Sequence, residues 1–276
     1  MKLSALRYDP RIQDASWTRG EWNQVVEAVL SMTPVAQILH AERELTASEE
    51  DAMVAVAART AAGEPLGYVL GQVNFSGLCI QVTPDVLIPR PDTEILLEAT
   101  IAALGEGNGS MLDLCTGSGA VALAVKARCP NAQVTGSDVS EKAIRVAKAN
   151  GLRLGLPVHW VVADVCQGLG VFDLIATNPP YISRDDTRVD RSVSQYEPPL
   201  ALYADAEGLS VIFDVLRSAS AHLVPNGTLL IEHGPEQHGR IAKAARKLGW
   251  RSITCLKDLA GRDRVTTMRA SDACDD

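Results

Sequence analysis

The chain has 276 residues, of which 46% are hydrophobic, and its formal net charge is −8. This length allows one large domain or two modest ones, and the hydrophobic fraction supports a sizeable core, which argues against global disorder. The negative charge argues against a protein that holds nucleic acid on a broad basic face.

The sequence predicts neither a targeting signal nor a membrane span. Residues 1–11 contain no apolar segment of the kind found in signal peptides, and no later stretch is long enough to cross a bilayer. Six cysteines, at positions 79, 115, 129, 166, 255 and 274, form no C-x-x-C pair. We therefore expect a cytoplasmic protein with free thiols, without membrane association, metal site or disulfide framework.

Residues 1–63 are predicted to form a small helical domain. Apolar residues recur at helical spacing, namely Trp17, Trp22, Val25, Val26, Val29 and Leu30. The tetrapeptide from Thr46 to Glu49 resembles a capping box at the start of a further helix, which Gly63 closes. No catalytic constellation stands out, so a packing or partner-docking role fits this domain.

Residues 64–87 are predicted to form a β-hairpin that links two domains. Two short alternating apolar runs lie on either side of Ser76-Gly77, the first with Val69, Val73 and Phe75 and the second with Leu78, Ile80 and Val82.

The rigid segment Ile88-Pro-Arg-Pro-Asp-Thr-Glu94 opens the next helix. Asp92 is predicted to cap that helix, and Glu94 lies in its first turn, where negative charge is favoured. Arg90 is either a solvated loop charge or a site residue, and the sequence leaves both readings open.

Strands and helices alternate from Met111 onward. Predicted strands cover 111–115, 133–138, 158–162, 172–177, 227–232, 251–256 and 264–269, with helices from about 119, at 140–150, about 207–224 and about 236–248. This alternation predicts a doubly wound α/β domain over 88–276 with a mostly parallel sheet. The last two strands lack a helix between them and predict an antiparallel hairpin at one edge.

Polar residues follow the predicted parallel strands. A glycine-rich turn, Thr116-Gly-Ser-Gly119, comes after the first strand, and Asp138 and Asp164 follow the next two. These tips meet in one crevice, where an acid can accept from ribose hydroxyls and a second can face an adenine amino group. Helix capping or loop solvation is the alternative for either acid alone. The absence of G-x-G-x-x-G and of a P-loop predicts a nucleoside without a pyrophosphate.

The fourth strand ends at Asn178-Pro-Pro-Tyr181. Two prolines make this loop stiff and extended. The Asn178 side chain and the Pro179 carbonyl are two acceptors beside the ring of Tyr181, which suits a planar –NH2 group. An ordinary proline-rich turn is the alternative for this loop alone.

These motifs together resemble the class I S-adenosylmethionine-dependent methyltransferases, and more narrowly the HemK/PrmC family of protein-(glutamine-N5) methyltransferases. The resemblance extends from Glu64 to the C-terminus and includes the segments 64–71, 88–94, 113–119, 178–181, 196–198, 232–234 and 262–265. It implies a Rossmann-like, seven-stranded fold and a methyl transfer to the glutamine of the Gly-Gly-Gln motif of class I peptide chain release factors.

By position, the resemblance implies that Cys115, Thr116, Gly117, Ser118, Gly119, Asp138, Asp164, Val165 and Asn178 bind S-adenosylmethionine. It also implies that Asn178, Pro179 and Tyr181 carry out the transfer, and that Pro180 and Arg90 join them in binding substrate. The family usually has glycine in place of Cys115. A side chain there either narrows the methionine pocket or points into the sheet.

The sequence leaves three rival functions open. A ribosomal-protein glutamine methyltransferase shares the fold and the loop. A nucleic-acid adenine-N6 methyltransferase needs a basic channel that an acidic chain does not provide. A non-catalytic S-adenosylmethionine-binding protein does not need the intact Asn178 loop.

Overall fold

The computed structural model describes residues 1–105 and 108–271, which form two compact units. One unit comprises Met1–Gln72 with Asp190–Tyr196, and the other comprises Val73–Val189 with the chain from Glu197 onward. The functional division of the chain after residues 63 and 87 remains a prediction.

Fourteen helices, some of them single turns, lie within the described residues. They are α1 (Leu3–Leu6), α2 (Pro10–Gln13), α3 (Arg19–Leu30), α4 (Pro34–Leu39), α5 (Ala47–Ala61), α6 (Leu66–Leu70), α7 (Thr93–Leu104), α8 (Ala120–Arg128), α9 (Glu141–Leu154), α10 (Arg191–Tyr196), α11 (Pro199–Leu202), α12 (Asp205–Gly208), α13 (Ser210–Ser218) and α14 (His238–Lys247).

Eleven strands lie within the same residues. They are β1 (Gln72–Phe75), β2 (Leu78–Gln81), β3 (Ser110–Leu114), β4 (Gln133–Asp138), β5 (His159–Val162), β6 (Phe172–Thr177), β7 (Ile182–Ser183), β8 (Tyr203–Ala204), β9 (Leu223–Glu232), β10 (Arg251–Lys257) and β11 (Asp263–Arg269).

The first unit is helical and has its own apolar core. Leu6, Val25, Val26 and Met53 are fully buried in it. The predicted capping box at the start of α5 is confirmed, since the Thr46 side chain accepts from the Glu49 N–H and the Glu49 side chain accepts in return. A second capping box, which was not predicted, starts α3.

The apolar run before the hairpin is helical, and the predicted strand at Val69 is therefore wrong. Leu66 and Leu70 of α6 pack against the core of the helical unit, and this tertiary burial outweighs local strand preference. Gly71 ends the helix with a φ of +70°. The predicted hairpin itself is confirmed as β1 and β2, which pair across the turn at Ser76-Gly77.

A seven-stranded sheet organises the second unit, with the order β10-β11-β9-β6-β3-β4-β5. The five strands from β9 to β5 are mutually parallel. Strand β11 pairs antiparallel with both β9 and β10. The predicted doubly wound sheet with an antiparallel edge hairpin is thus confirmed.

Both faces of the sheet are buried. Leu112, Ile175 and Leu229 pack in one cluster with apolar residues of α13 and α14. Met111 and Leu174, whose side chains alternate with these along the strands, are also buried, and α7 and α8 contact the strands as well. Strands that are buried on both faces explain the nearly continuous apolar runs in the sequence.

The predicted long helix at 207–224 is shorter and begins later. Ala206 and Glu207 have φ values of +54° and +58°, so a regular helix starts only at Ser210, and a 3₁₀ turn over Ala219–His222 follows α13. Left-handed dihedrals at non-glycine residues oppose local preference, so the sequence gives no warning of this break.

The structure bears on two further expectations, free cysteines and no membrane span. Cys115, Cys129, Cys166 and Cys255 are free thiols, whereas Cys274 lies outside the described residues. Within residues 1–105 and 108–271, every helix is too short or too polar to traverse a bilayer.

Candidate active site

Four parallel strand ends meet at one edge of the sheet. Leu114 at the end of β3 is in register with Ser137 of β4 and with Thr177 of β6, and Asp138 is in register with Val162 of β5. The residues that follow these strands therefore share one crevice, as in ligand sites of other open α/β sheets.

The glycine-rich loop after β3 is held from beneath by Asp113. Its Oδ2 accepts from the Thr116 hydroxyl at 2.5 Å and from the Ala122 N–H at 3.0 Å. Asp113 is buried, and this burial raises the pKa of its carboxyl to about 7. The carboxyl group thus joins the loop to the first turn of α8 and fixes the shape of the turn.

Asp138 lies directly beside this loop. Its Oδ2 accepts from the Gly117 N–H at 3.0 Å, and its Oδ1 accepts from the Ser140 N–H at 2.9 Å. Burial raises the pKa of this carboxyl. Each carboxylate oxygen has a second lone pair, so both can still accept from ligand hydroxyls.

The space in front of the loop is open. A Cβ atom placed on Gly117 would meet no atom within 4 Å, and its φ is +55°. An open space beside a carboxylate acceptor and a helix N-terminus fits the ribose of a nucleoside. These residues therefore fit the adenosyl part of S-adenosylmethionine.

Two other glycines are explained by Trp160, which was not predicted as a site residue. A Cβ on Gly119 would lie 2.8 Å from the Trp160 ring, and a Cβ on Gly136 would lie 2.3 Å from it. The indole of β5 thus packs across the loop and β4. Part of the glycine pattern therefore serves packing rather than ligand contact.

Cys115 adopts the left-handed conformation, with a φ of +60°. Its side chain packs against the core cluster below the sheet edge, and burial raises the pKa of the thiol. Of the two possibilities left by the sequence, this contact favours a side chain directed into the fold.

Asp164 and Val165 follow β5 at the same edge. Asp164 is exposed, while Val165 packs against the core with a φ of +49°. The Ala163 N–H donates to the Asp138 carbonyl at 3.0 Å, which ties this turn to β4. Contact of either residue with an adenine remains a prediction.

The Asn178-Pro-Pro-Tyr181 loop follows β6. The Asn178 Nδ2 donates to the Thr93 hydroxyl at 3.1 Å, and the Tyr181 hydroxyl lies 3.5 Å from Oε1 of Glu232. Pro179 is buried, whereas Asn178, Pro180 and Tyr181 are partly exposed. The loop therefore offers polar groups at the surface of the crevice from a fixed base.

Two residues far along the chain hold the backbone of this loop. The Gln237 side chain donates to the Tyr181 carbonyl at 2.9 Å and accepts from the Gly234 N–H at 2.8 Å. Gly208 approaches the same carbonyl so closely that a Cβ there would lie 2.1 Å from the Tyr181 oxygen. The carbonyl direction of Tyr181 is thus fixed from two sides.

Arg90 forms an ion pair with Glu197, whose side chain is fully buried. The Ile88 N–H donates to the other oxygen of that carboxylate at 3.1 Å. Arg90 therefore holds its own segment in place, and its contact with substrate remains a prediction. Asp92 does not cap α7 as predicted, because its carboxylate pairs with Arg264 at 3.0 Å instead.

Glu232, Thr93, Glu197, Gln237 and Asp113 were not predicted as site residues. A signal for Glu232 was available, since it ends the apolar strand β9 as Asp138 ends β4, and β9 is parallel to β6. Thr93, Glu197 and Gln237 act through contacts with residues far away in the sequence, which no local pattern reveals. Asp113 instead bonds to Thr116 and Ala122, which follow it closely in the sequence.

Two family models match this chain. Residues 16–71 match the PrmC N-terminal domain, and residues 91–196 match the methyltransferase small domain.

Two curated relatives and a solved structure are also similar to this chain. A release factor glutamine methyltransferase of Bordetella pertussis is 37% identical over 259 residues, which cover 92% of this chain and 96% of that protein. One from Neisseria gonorrhoeae is 40% identical over 216 residues, covering 76% of this chain and 78% of that protein. A methyltransferase from Pyrococcus furiosus has a TM-score of 0.54 at 23% identity, covering 71% of this chain and 90% of that one, and shares the fold.

Proposed function

This chain belongs to the family of release factor glutamine methyltransferases, and from that premise we propose that it transfers a methyl group from S-adenosylmethionine to the side-chain amide nitrogen (N5) of a glutamine. The acceptor is the glutamine in the Gly-Gly-Gln motif of class I peptide chain release factors, so the enzyme acts in translation termination. The single observation that supports this most is the common edge shared by the glycine-rich loop, Asp138 and the Asn178 loop.

Asp138 and the loop from Cys115 to Gly119 hold the adenosyl and methionine parts of the cofactor, with Asp164 and Val165 near the adenine. When bound, S-adenosylmethionine supplies an electrophilic methyl group on its sulfonium. The protein's part is to place the acceptor nitrogen in line with that methyl, which is a large contribution to the rate.

A glutamine amide nitrogen is a poor nucleophile because its lone pair is delocalised into the carbonyl. The Asn178 Oδ1 and the Pro179 carbonyl accept its two N–H bonds, and both acceptors stabilise positive charge that develops on the nitrogen. Tyr181 packs on the flat amide, and Pro180 keeps the loop extended. No general base is required before transfer, since the methylated cation readily loses its proton.

The chemistry of this pocket favours glutamine over charged acceptors. Two acceptors without a charge partner suit a primary amide and do not suit lysine or arginine. Glycines next to the glutamine let it enter a narrow pocket without a backbone clash. The helical domain before residue 64 provides a second surface that grips a folded partner.

The net charge of −8 supports a protein acceptor over a nucleic acid held directly by the enzyme. The same charge also favours attraction to a basic ribosomal protein, so that substrate is the one rival that the physics supports.

A competition experiment separates these substrates. The enzyme and labelled S-adenosylmethionine are offered an intact release factor, the same factor with its Gly-Gly-Gln glutamine changed to asparagine, and a basic ribosomal protein. We expect label only on the intact factor. Equal labelling of the asparagine variant, or labelling of the ribosomal protein alone, would overturn the proposal.

A further inference from the structure

A buried acid lies under the candidate site without an ordinary structural explanation. Glu232 has no exposed surface, and its Oε2 has no hydrogen-bond partner among the described residues, while its Oε1 lies 3.5 Å from the Tyr181 hydroxyl. A buried carboxyl group with an unsatisfied oxygen is unfavourable for stability, so its presence calls for a local role.

Thr93 connects this acid to the substrate loop. Its side chain is buried, and its hydroxyl oxygen accepts from the Asn178 Nδ2 at 3.1 Å. Interaction with the same hydroxyl lowers the pKa of the Glu232 carboxyl, against the effect of burial. The Tyr181 hydroxyl of the substrate loop also lies 3.5 Å from Glu232 Oε1. Thr93 therefore interacts with both Asn178 and Glu232.

The available protons fix the direction of the hydrogen bonds that link Glu232, Thr93 and Asn178. A hydroxyl has one proton, and an ionised carboxylate can only accept. When the Thr93 proton points to Glu232, the Thr93 oxygen is left as an acceptor. Asn178 must then turn its NH2 group toward Thr93, which leaves its Oδ1 facing the crevice.

We propose that Thr93 and Glu232 are positioning residues that set the orientation of the Asn178 amide, so that its oxygen and not its nitrogen faces the acceptor amide. This inference rests on the proposed function, because orientation matters only if Asn178 accepts an N–H from the substrate. Neither residue touches the reacting atoms, and both act through Asn178.

The protonation state of Glu232 determines which way the Asn178 amide is turned. A protonated Glu232 donates to Thr93, whose hydroxyl then donates to Asn178 and turns the amide oxygen inward. The NH2 group would then face the substrate NH2, and both would be donors. Turnover therefore requires the ionised form of Glu232 and falls on the acid side.

The surroundings of Glu232 set the pH range of that loss. Burial raises the pKa of this carboxyl to about 7, and the neighbouring Asp92 raises it further, while Thr93, Arg264 and Tyr181 oppose the shift. Since an acid with a raised pKa is protonated below that value, we expect turnover to fall as the pH drops through about 7.

The kinetic test uses three variants of the full chain and one control. Thr93→Val and Glu232→Gln should each lower kcat on a release factor by about 10- to 100-fold while S-adenosylmethionine affinity, from calorimetry, stays within about threefold. Thr93→Ser keeps the hydroxyl, so its kcat should stay within about threefold of the wild-type value. Thr100→Val removes a buried hydroxyl from the same helix, one that donates to the Leu96 carbonyl at 2.7 Å, and should leave kcat unchanged.

A second readout does not depend on the substrate. The side-chain NH2 signals of Asn178, assigned by their loss in Asn178→Ala, should shift with pH through about 7 in the wild type and lose that shift in Glu232→Gln. Melting temperatures confirm that each variant is folded.

The outcomes separate the two proposals. If the Asn178 signals shift neither with pH nor on Glu232→Gln substitution, the positioning role is overturned, whatever the substrate is. Wild-type kcat in Thr93→Val, or failure of Thr93→Ser to recover activity, overturns it as well. If the signals respond but the wild type does not methylate release factor, the proposed function fails and the positioning role stands.

Discussion

At the residue scale, Asp138 shapes the loop and offers acceptors to a ligand at the same time. Its oxygens accept from the Gly117 and Ser140 N–H groups at 3.0 and 2.9 Å, yet the residue remains partly exposed. A carboxylate that is fixed by backbone donors loses little freedom when a ribose binds, because its geometry already exists in the free protein.

Asp138→Ala should weaken S-adenosylmethionine binding by about 1.5–3 kcal/mol, the usual range for hydrogen bonds to a charged group. Titration calorimetry measures this directly. Glu141→Ala is the matched control, because it removes a nearby acid whose side chain pairs with Arg145 at the surface at 3.0 Å. Equal affinity in the Asp138 variant and the wild type would remove Asp138 from the cofactor site.

Asn178→Ala should separate binding from chemistry. Cofactor affinity should stay within a few fold, because Asp138 and the glycine-rich loop remain, while methylation slows by about 10² or more from loss of an acceptor at the developing charge. Steady-state kinetics and calorimetry on the same preparation give both values. Turnover near the wild-type level would mean that another group holds the amide.

At the element scale, the substrate loop depends on contacts from distant parts of the same unit. Asn178 bonds to Thr93, which is 85 positions away in sequence, and the Tyr181 carbonyl is held by Gln237, 56 positions away. Stiffness from two prolines therefore explains only part of the loop geometry. The remainder comes from side chains at the start of α7 and before α14.

Gly208→Ala should disturb this loop more than the same substitution at another left-handed glycine. Gly208 has a φ of +82°, and an added Cβ would lie 2.1 Å from the Tyr181 oxygen. Gly168→Ala is a matched control, since Gly168 has a φ of +72° and no atom within 4 Å of an added Cβ.

Both glycine variants should lose about 1–2 kcal/mol of stability from the left-handed conformation. Only Gly208→Ala should also lose turnover, by about tenfold or more, because the Tyr181 carbonyl must move. Thermal unfolding and kcat on a release factor measure the two effects. Equal turnover in both variants would show that the Tyr181 carbonyl position does not matter.

Some features of these elements could be predicted from the sequence, and others could not. The strands and their polar ends were predictable, because predicted strands stop at Asp138 and Asn178 and four consecutive strand ends of one parallel sheet imply one edge. The role of Thr93 was not, since nothing local distinguishes it from a helix-start threonine. The break before α13 was also hidden, because Ala206 and Glu207 adopt φ values that their residue types disfavour.

At the scale of the whole molecule, the helical unit carries a small apolar surface. Val35, Ile38 and Leu39 of α4 are 66%, 71% and 74% exposed. Three large apolar side chains on one short helix are an unusual use of surface unless a partner covers them. In the proposed function, that partner is the folded release factor.

Ile38→Ser combined with Leu39→Ser should therefore raise KM for an intact release factor by about tenfold, the effect of losing roughly 1.4 kcal/mol of contact. Turnover of a short Gly-Gly-Gln peptide should not change, because a short peptide lacks the folded surface that would contact α4. The melting temperature checks that these exposed changes leave the fold intact. An equal effect on the peptide would argue against a docking role for this helix.

The central claim is that the site at this edge of the sheet transfers a methyl group to a glutamine side-chain amide in a folded protein. Tandem mass spectrometry of a release factor after incubation with the enzyme and S-adenosylmethionine tests it most directly, with the Asn178→Ala enzyme run in parallel. We predict one added methyl group on the side-chain nitrogen of the Gly-Gly-Gln glutamine, formed by the wild type and nearly absent with the variant. A methyl group on any other residue, or no methyl group with active wild-type enzyme, would contradict the claim.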